Sequence, residues 1–144
     1  MTVVEFRNVS YSIEALPVLH DISVSIDERE TLVLLGRSGS GKTTALKLTN
    51  GLLRPTSGQV FVNGRTTQDW DAVQLRRSVG YVIQDVGLFP HFSVADNVAL
   101  VPRLLRCPEA DVQLRVDTLL ELMGLSPAQF RTRYPHQLSG GQRQ

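Results

Sequence analysis

Cysteine is almost missing from these 144 residues: Cys107 stands alone. That excludes an internal disulfide framework and fits a reducing compartment. An excess of one charge is missing too. Fifteen Lys and Arg face 14 Asp and Glu, for a net charge of +1. No stretch reads as a basic stripe with interleaved aromatics, so nucleic acid is not an expected partner. The densest basic pair, Arg76-Arg77, reads as a solvated helix end. Long apolar runs are absent as well, since Pro102 and Arg103 break the best candidate between Val98 and Leu105. The opening Met1-Thr2-Val3-Val4-Glu5-Phe6-Arg7 sets an acid and a base where a leader peptide needs apolar residues. A soluble, cytoplasmic chain is expected, with any membrane connection made through a partner. His20 and Cys107 have no companions at metal-ligand spacing and are read as ordinary side chains.

What is present divides into two regions of one α/β layout. Residues 1 to about 90 are strand-rich, residues from about 91 to 144 are helical, and the join falls around Gly87 to Ser93. Ile22, Val24 and Ile26 alternate with Ser23, Ser25 and Asp27, the period of a half-buried strand. Thr31-Leu32-Val33-Leu34-Leu35 is continuously apolar and predicts a parallel strand covered on both faces. A helix is expected from Lys42 to Leu48, closing near Gly51. Val60 and Val62 alternate ahead of Asn63-Gly64, a hairpin-turn dipeptide, and Tyr81-Val82-Ile83 predicts another short strand. In the second region Val112, Val116, Leu119, Leu120 and Met123 fall at helical spacing before Gly124, a capping glycine. Ser126-Pro127-Ala128-Gln129 has the form of a new helix start. Trp70 and Met123 are read as packing residues.

Between the apolar run and the first helix lies Gly36-Arg37-Ser38-Gly39-Ser40-Gly41-Lys42-Thr43, a complete phosphate-binding loop. Gly36, Gly39 and Gly41 allow backbone conformations closed to residues with a Cβ, so successive N–H groups can turn inward. The helix start adds unpaired amides and the positive end of its dipole. Lys42 supplies a compact positive charge for the β- and γ-phosphates, and Thr43 a hydroxyl for Mg²⁺. A chance match in a chain this long is roughly one in 200 from average residue usage. An ordinary glycine-rich turn is therefore the weaker reading.

Leu138-Ser139-Gly140-Gly141-Gln142 is a second place where amides can meet an anion. Ser139-x-x-Gln142 is also a capping box, a common way to begin a helix. The two readings are compatible, because a capped helix start with two glycines is itself a site for an anion. With both loops in this order the chain resembles the ATP-binding cassette (ABC) family, whose signature motif is this string, and the resemblance covers essentially the whole chain. It implies a P-loop NTPase core of RecA type, with an antiparallel β portion and a helical subdomain.

The same resemblance implies the site. ATP with Mg²⁺ would sit on the loop from Gly36 through Thr43 and Thr44. Tyr11, in Val9-Ser10-Tyr11, matches the aromatic that stacks on adenine; a core tyrosine is the plainer alternative. Gln84, ending Tyr81-Val82-Ile83, matches the glutamine that senses Mg²⁺ and the attacking water. Ser139, Gly140, Gly141 and Gln142 would contact the γ-phosphate held by a second subunit in a head-to-tail dimer. Permease subunits in the membrane, and through them a solute-binding protein, are the implied partners, placing the chain on the inner face of the membrane. The run Gln84-Asp85-Val86-Gly87-Leu88-Phe89-Pro90-His91-Phe92-Ser93-Val94, with Arg133-Tyr134-Pro135-His136-Gln137, is similar to cassettes importing glycine betaine and other osmoprotectants. Amino-acid importers share part of this text. His91 is read as structural or partner-facing, and His136 as a loop residue. A non-transport cassette acting on nucleic acid, and a nucleotide-binding fragment without activity, are the alternatives. In the family the signature precedes an apolar strand ending in aspartate, then a glutamate that activates water and a switch histidine. None is assigned within the sequence, so these 144 residues are expected to belong to a longer ATPase. Alone they are expected to hydrolyse ATP poorly and to leave an apolar strand edge unpaired.

Overall fold

A computed structural model describes residues 1–83 and 87–144, in two compact units, Met1–Tyr81 and Val82–Gln144. The first unit is built on an antiparallel sheet of order β2-β1-β3-β4. Its long hairpin joins β1 (Thr2–Ile13) to β2 (Leu16–Asp27). The connecting residues are Glu14 and Ala15, both at positive φ (48° and 70°). That conformation suits the strand twist but is uncommon outside Gly, Asn and Asp, so nothing in the sequence announces this turn. Asn8 and Asp21 also lie at φ 48° where the ladder shifts register. The Asn8 amide donates to an Asp21 carboxylate oxygen at 2.9 Å, and its backbone N–H to Ser23 Oγ at 2.9 Å. β1 thus bends over its own partner and buries Val9.

β3 (Ser57–Val62) pairs with the other edge of β1 and turns at Asn63-Gly64 into β4 (Arg65–Thr66). Asn63 (φ 51°) and Gly64 (φ 75°) form the expected two-residue turn. Phe6, Val9, Leu48 and Val60 make the core, with Val4, Tyr11, Leu19, Val24, Ala45 and Leu53 packed around it. Each fully buried aliphatic side chain contributes about 1.5–3 kcal/mol. Leu48 comes from α1 (Lys42–Thr49), which closes at Asn50 with Gly51 at φ 65°. Trp70 is half-buried, its indole N–H donating to the Val62 carbonyl at 3.2 Å. α2 (Ala72–Ser78) begins at Asp71, whose carboxylate accepts from the Val73 and Gln74 amides.

The second unit packs α3 (Val94–Leu104), α4 (Glu109–Leu122), α5 (Pro127–Phe130) and α6 (Gly140–Arg143), with a 3₁₀ turn at Pro135–Gln137. Its core is Val94, Ala99, Val112, Val116, Leu120 and Leu138. The expected α4 face is present, and Gly124 (φ 71°) follows its end. Met123 departs from expectation: it is the capping residue and 69% exposed, not packed. At the end of α4 the backbone leaves the helical path, and the 3.6-residue register no longer points that side chain inward.

Two expected strands are not formed. Thr31–Leu35 is irregular and exposed, with Val33 at 68% and Leu35 at 89%. Tyr81-Val82-Ile83 is likewise irregular, with Val82 at 87%. A parallel strand exists only through its neighbours' hydrogen bonds and the cover on both its faces. Among the described residues no strand pairs with either segment. The antiparallel part of the fold is therefore present as expected, and the sheet described is wholly antiparallel.

Candidate functional site

The phosphate loop is built by its glycines. Gly39 (φ 83°) and Gly41 (φ 89°) take the left-handed conformation, and Gly41 is the residue that opens α1. At Gly41 the crowding is severe as well: an added Cβ would stand 2.7 Å from Leu19 Cδ2 and 3.0 Å from the Val18 carbonyl oxygen. The loop is thus seated against β2. At Gly36 an added Cβ would meet Ser40 Oγ at 2.5 Å, so the two ends of the loop close on each other. The Ser40 amide completes the turn by donating to the Arg37 carbonyl at 3.2 Å.

Lys42 folds over this loop. Its ammonium donates to the carbonyls of Gly36 and Arg37, each at 2.8 Å, and to Ser40 Oγ at 3.2 Å. A cation is therefore held at the loop mouth by weakly basic oxygens, which anionic phosphate oxygens can replace with stronger charge-assisted bonds. Ser38 and Thr43 are exposed, and Thr44 is half-buried in the first turn of α1. The donor set fits a polyphosphate. For Mg²⁺ the loop carries no carboxylate, only the hydroxyls of Ser38, Ser40 and Thr43, so an ion there would take most of its ligands from phosphate and water. Among the described residues no cluster of three or more His, Cys, Asp or Glu offers an alternative site.

Tyr11 lies on β1 directly opposite Leu19, the residue that backs Gly41. It is half-buried, packed against the Phe6, Val9, Leu48 and Val60 core. The structure thus brings Tyr11, Leu19, Gly41 and the loop onto one patch of the first unit. Leu19 and Val18 were not singled out from sequence, because nothing local marks a strand residue as the backing of a loop over twenty positions later. Gln84 lies outside the described residues.

In the second unit Ser139 forms a full capping box. Its Oγ accepts from the Gln142 amide at 3.3 Å, while the Gln142 side chain accepts from the Ser139 amide at 3.0 Å. Leu138 is buried in the helical core and anchors the segment. Gly140 and Gly141 have no positive φ, and a Cβ on either would meet no atom within 4 Å. Neither backbone conformation nor packing within this unit calls for glycine there. What the two glycines supply is bare backbone, open to close approach from outside.

His91 stands on an exposed loop with Phe89 and Phe92, its ring centroid 4.6 Å from that of Phe92. His136 is exposed and stacks on Tyr134. A shallow concavity of about 350 Å³ on the hairpin, lined by Glu5, Arg7, Asn8 and Ser23 among others, lies away from the loop glycines. Its only charges, Glu5 and Arg7, pair with each other at 2.7 Å. Donor chemistry, rather than any concavity, makes the Gly36–Thr43 loop the candidate site.

The family model described as ABC transporter matches residues 19–144. The chain is 44% identical over 131 residues to the osmoprotectant import ATP-binding protein OsmV of Salmonella typhimurium, covering 91% of this chain and 34% of that protein. It is 44% identical over 141 residues to the glycine betaine uptake system ATP-binding protein YehX of Escherichia coli, covering 98% of this chain and 46% of that one. The chain thus spans about a third to a half of the length of these curated relatives. Among solved structures, a dimeric ATP-binding cassette in a post-hydrolysis state bound to ADP and Pi superposes with a TM-score of 0.81 at 30% identity, over 97% of this chain and 65% of that one.

Proposed function

From the premise that this chain belongs to the ABC transporter family, we propose that it is the nucleotide-binding part of an importer's ATPase subunit. The observation that carries this is the loop Gly36–Thr43, closed by glycines and crossed by the Lys42 ammonium at the start of α1. Lys42 neutralises the β- and γ-phosphates. Backbone amides along Arg37, Ser38, Gly39, Ser40 and Gly41 and at the α1 start, with Thr44, hold phosphate oxygens. Thr43 would offer Mg²⁺ a hydroxyl, and the ion would supply neutralisation of phosphate charge. Tyr11 stacks on the base. Gln84 would be the side chain that responds to Mg²⁺ and the attacking water.

Ser139, Gly140, Gly141 and Gln142 close on the γ-phosphate held by a second subunit. The open backbone at both glycines supports that role, as does the dimeric form of the cassette related in structure. Permease subunits would carry the solute through the membrane, with this subunit at its cytoplasmic face. The relatives named for osmoprotectant and glycine betaine import support a solute of that class. No helix among the described residues is long and apolar enough to cross a membrane.

Binding of a fluorescent ATP analogue to the intact subunit tests the reading. Lys42→Ala should abolish nucleotide binding. Ser139→Ala should leave binding intact and lower turnover at least tenfold, as loss of a contact made only in the closed dimer would. Unchanged nucleotide affinity in Lys42→Ala would refute the assignment.

A further inference from the structure

Two sets of contacts meet at the first turn of α3. On one side Asn97 grips the loop that precedes the helix. Its Oδ1 accepts from the Phe89 amide at 2.8 Å, and its Nδ2 reaches the carbonyls of Phe89 (3.2 Å), Phe92 (3.2 Å) and Ser93 (2.9 Å). One side chain thereby fixes both ends of a loop whose outer face presents Phe89 and His91 to solvent.

On the other side, the free amides of the same helix end are not left to water. Val94 N–H donates to the Arg133 carbonyl at 2.8 Å and Ala95 N–H to the Arg131 carbonyl at 3.0 Å. From Arg133 the chain runs through the Pro135–Gln137 turn to Leu138, which shares a core with Val94 and Ala99, and then to Ser139. The segment bearing the signature is hung from the helix end that Asn97 ties to the loop.

We propose that Asn97 is a positioning residue for the signature, resting on the reading that Ser139 to Gln142 close on a neighbouring subunit's ATP. It keeps Phe89–Ser93 and the α3 start moving as one body, so that the Arg131 and Arg133 carbonyls, and with them Ser139, stay at one setting. Without it the loop keeps the Phe92 amide bond to the Phe89 carbonyl and the helical bond to Ser93, but the α3 start gains play and Ser139 loses its fixed approach to the phosphate.

The test uses the intact ATPase assembled with its permease subunits, comparing Asn97→Ala, Asn97→Asp, Leu125→Ala and Ser139→Ala. Leu125 packs on the same core from the α4–α5 connection; its truncation is a packing control that removes none of the Asn97 hydrogen bonds. Asn97→Ala should lower kcat by roughly ten- to hundredfold, the scale of a small misplacement of a reacting group, with ATP affinity unchanged. Asn97→Asp keeps the acceptor for the Phe89 amide and loses both N–H donors, so it should fall between Asn97→Ala and wild type. Leu125→Ala should lower the melting temperature with kcat little changed. Equal losses of kcat in Asn97→Ala and Leu125→Ala, or wild-type kcat in Asn97→Ala beside an inactive Ser139→Ala, would overturn the role of Asn97. Wild-type turnover in Ser139→Ala would overturn the reading of the signature itself.

Discussion

Gly58 shows how much one residue's geometry can demand. It sits at φ 77°, and an added Cβ would stand 2.2 Å from the Asn8 carbonyl oxygen and 2.5 Å from that of Arg7. β3 approaches the bulged part of β1 so closely there that no side chain fits. Gly58→Ala combines left-handed strain with a clash against backbone, and should destabilise the first unit by about 3 kcal/mol or more. A denaturant melt of the intact protein checks it. Gly64→Ala gives the contrast, since nothing lies within 4 Å of its Cβ position; only the φ penalty, about 1–2 kcal/mol, should register. The value of Gly41 was legible in the motif, whereas that of Gly58 was not. Gly41 belongs to a loop defined by its own neighbours, while Gly58 answers to residues about fifty positions earlier in the chain.

At the scale of elements, the helices that formed as expected carry their instructions within themselves. α4 has its apolar face at helical spacing and Gly124 behind it, and α6 has its capping box. α3 adds a local electrostatic device. Ser93 Oγ donates to the Asp96 carboxylate at 2.5 Å and Arg103 to its other oxygen at 2.8 Å, while Arg103 also pairs with Glu109. The Ser93 hydroxyl first, and Arg103 second, hold the Asp96 carboxyl below its ordinary value; Arg103 does the same for Glu109, and both hold Arg103 above its own. A carboxylate depressed in the folded state stabilises above the ordinary carboxylate range and loses that contribution as pH falls through its folded value. The α3 start should therefore loosen below about pH 4, by a modest amount because these groups are half exposed. Amide exchange at Asp96 and Asn97 as a function of pH measures it, and Asp96→Asn should remove the acid-dependent part.

For the molecule as a whole, the exposed apolar segments are the dominant feature. Leu32, Val33, Leu34 and Leu35, together with Tyr81, Val82 and Ile83, present side chains that a folded surface rarely displays in runs. The 144-residue chain on its own should bind a hydrophobic dye and self-associate at micromolar concentration. Leu35→Lys together with Val82→Lys should reduce both, read by dye fluorescence and light scattering. The glycine-closed loop and the Ser139–Gln142 capping box, one in each compact unit, are each well formed locally.

Near neighbours along the chain settle the glycine-closed loop at Gly36–Thr43, the Asn63-Gly64 turn, the apolar face of α4 and the box at Ser139–Gln142. In each the deciding contacts span a few residues, so spacing and residue type carry the information. Tertiary structure alone decided the seating of Gly41 on Leu19, the paired bulge of Asn8 and Asp21, the capping of α3 by Arg131 and Arg133, and the irregular state of Thr31–Leu35. Apolar composition made that last segment fit for a strand, but a parallel strand is a relation between segments. Its hydrogen bonds belong to whichever chain lies beside it.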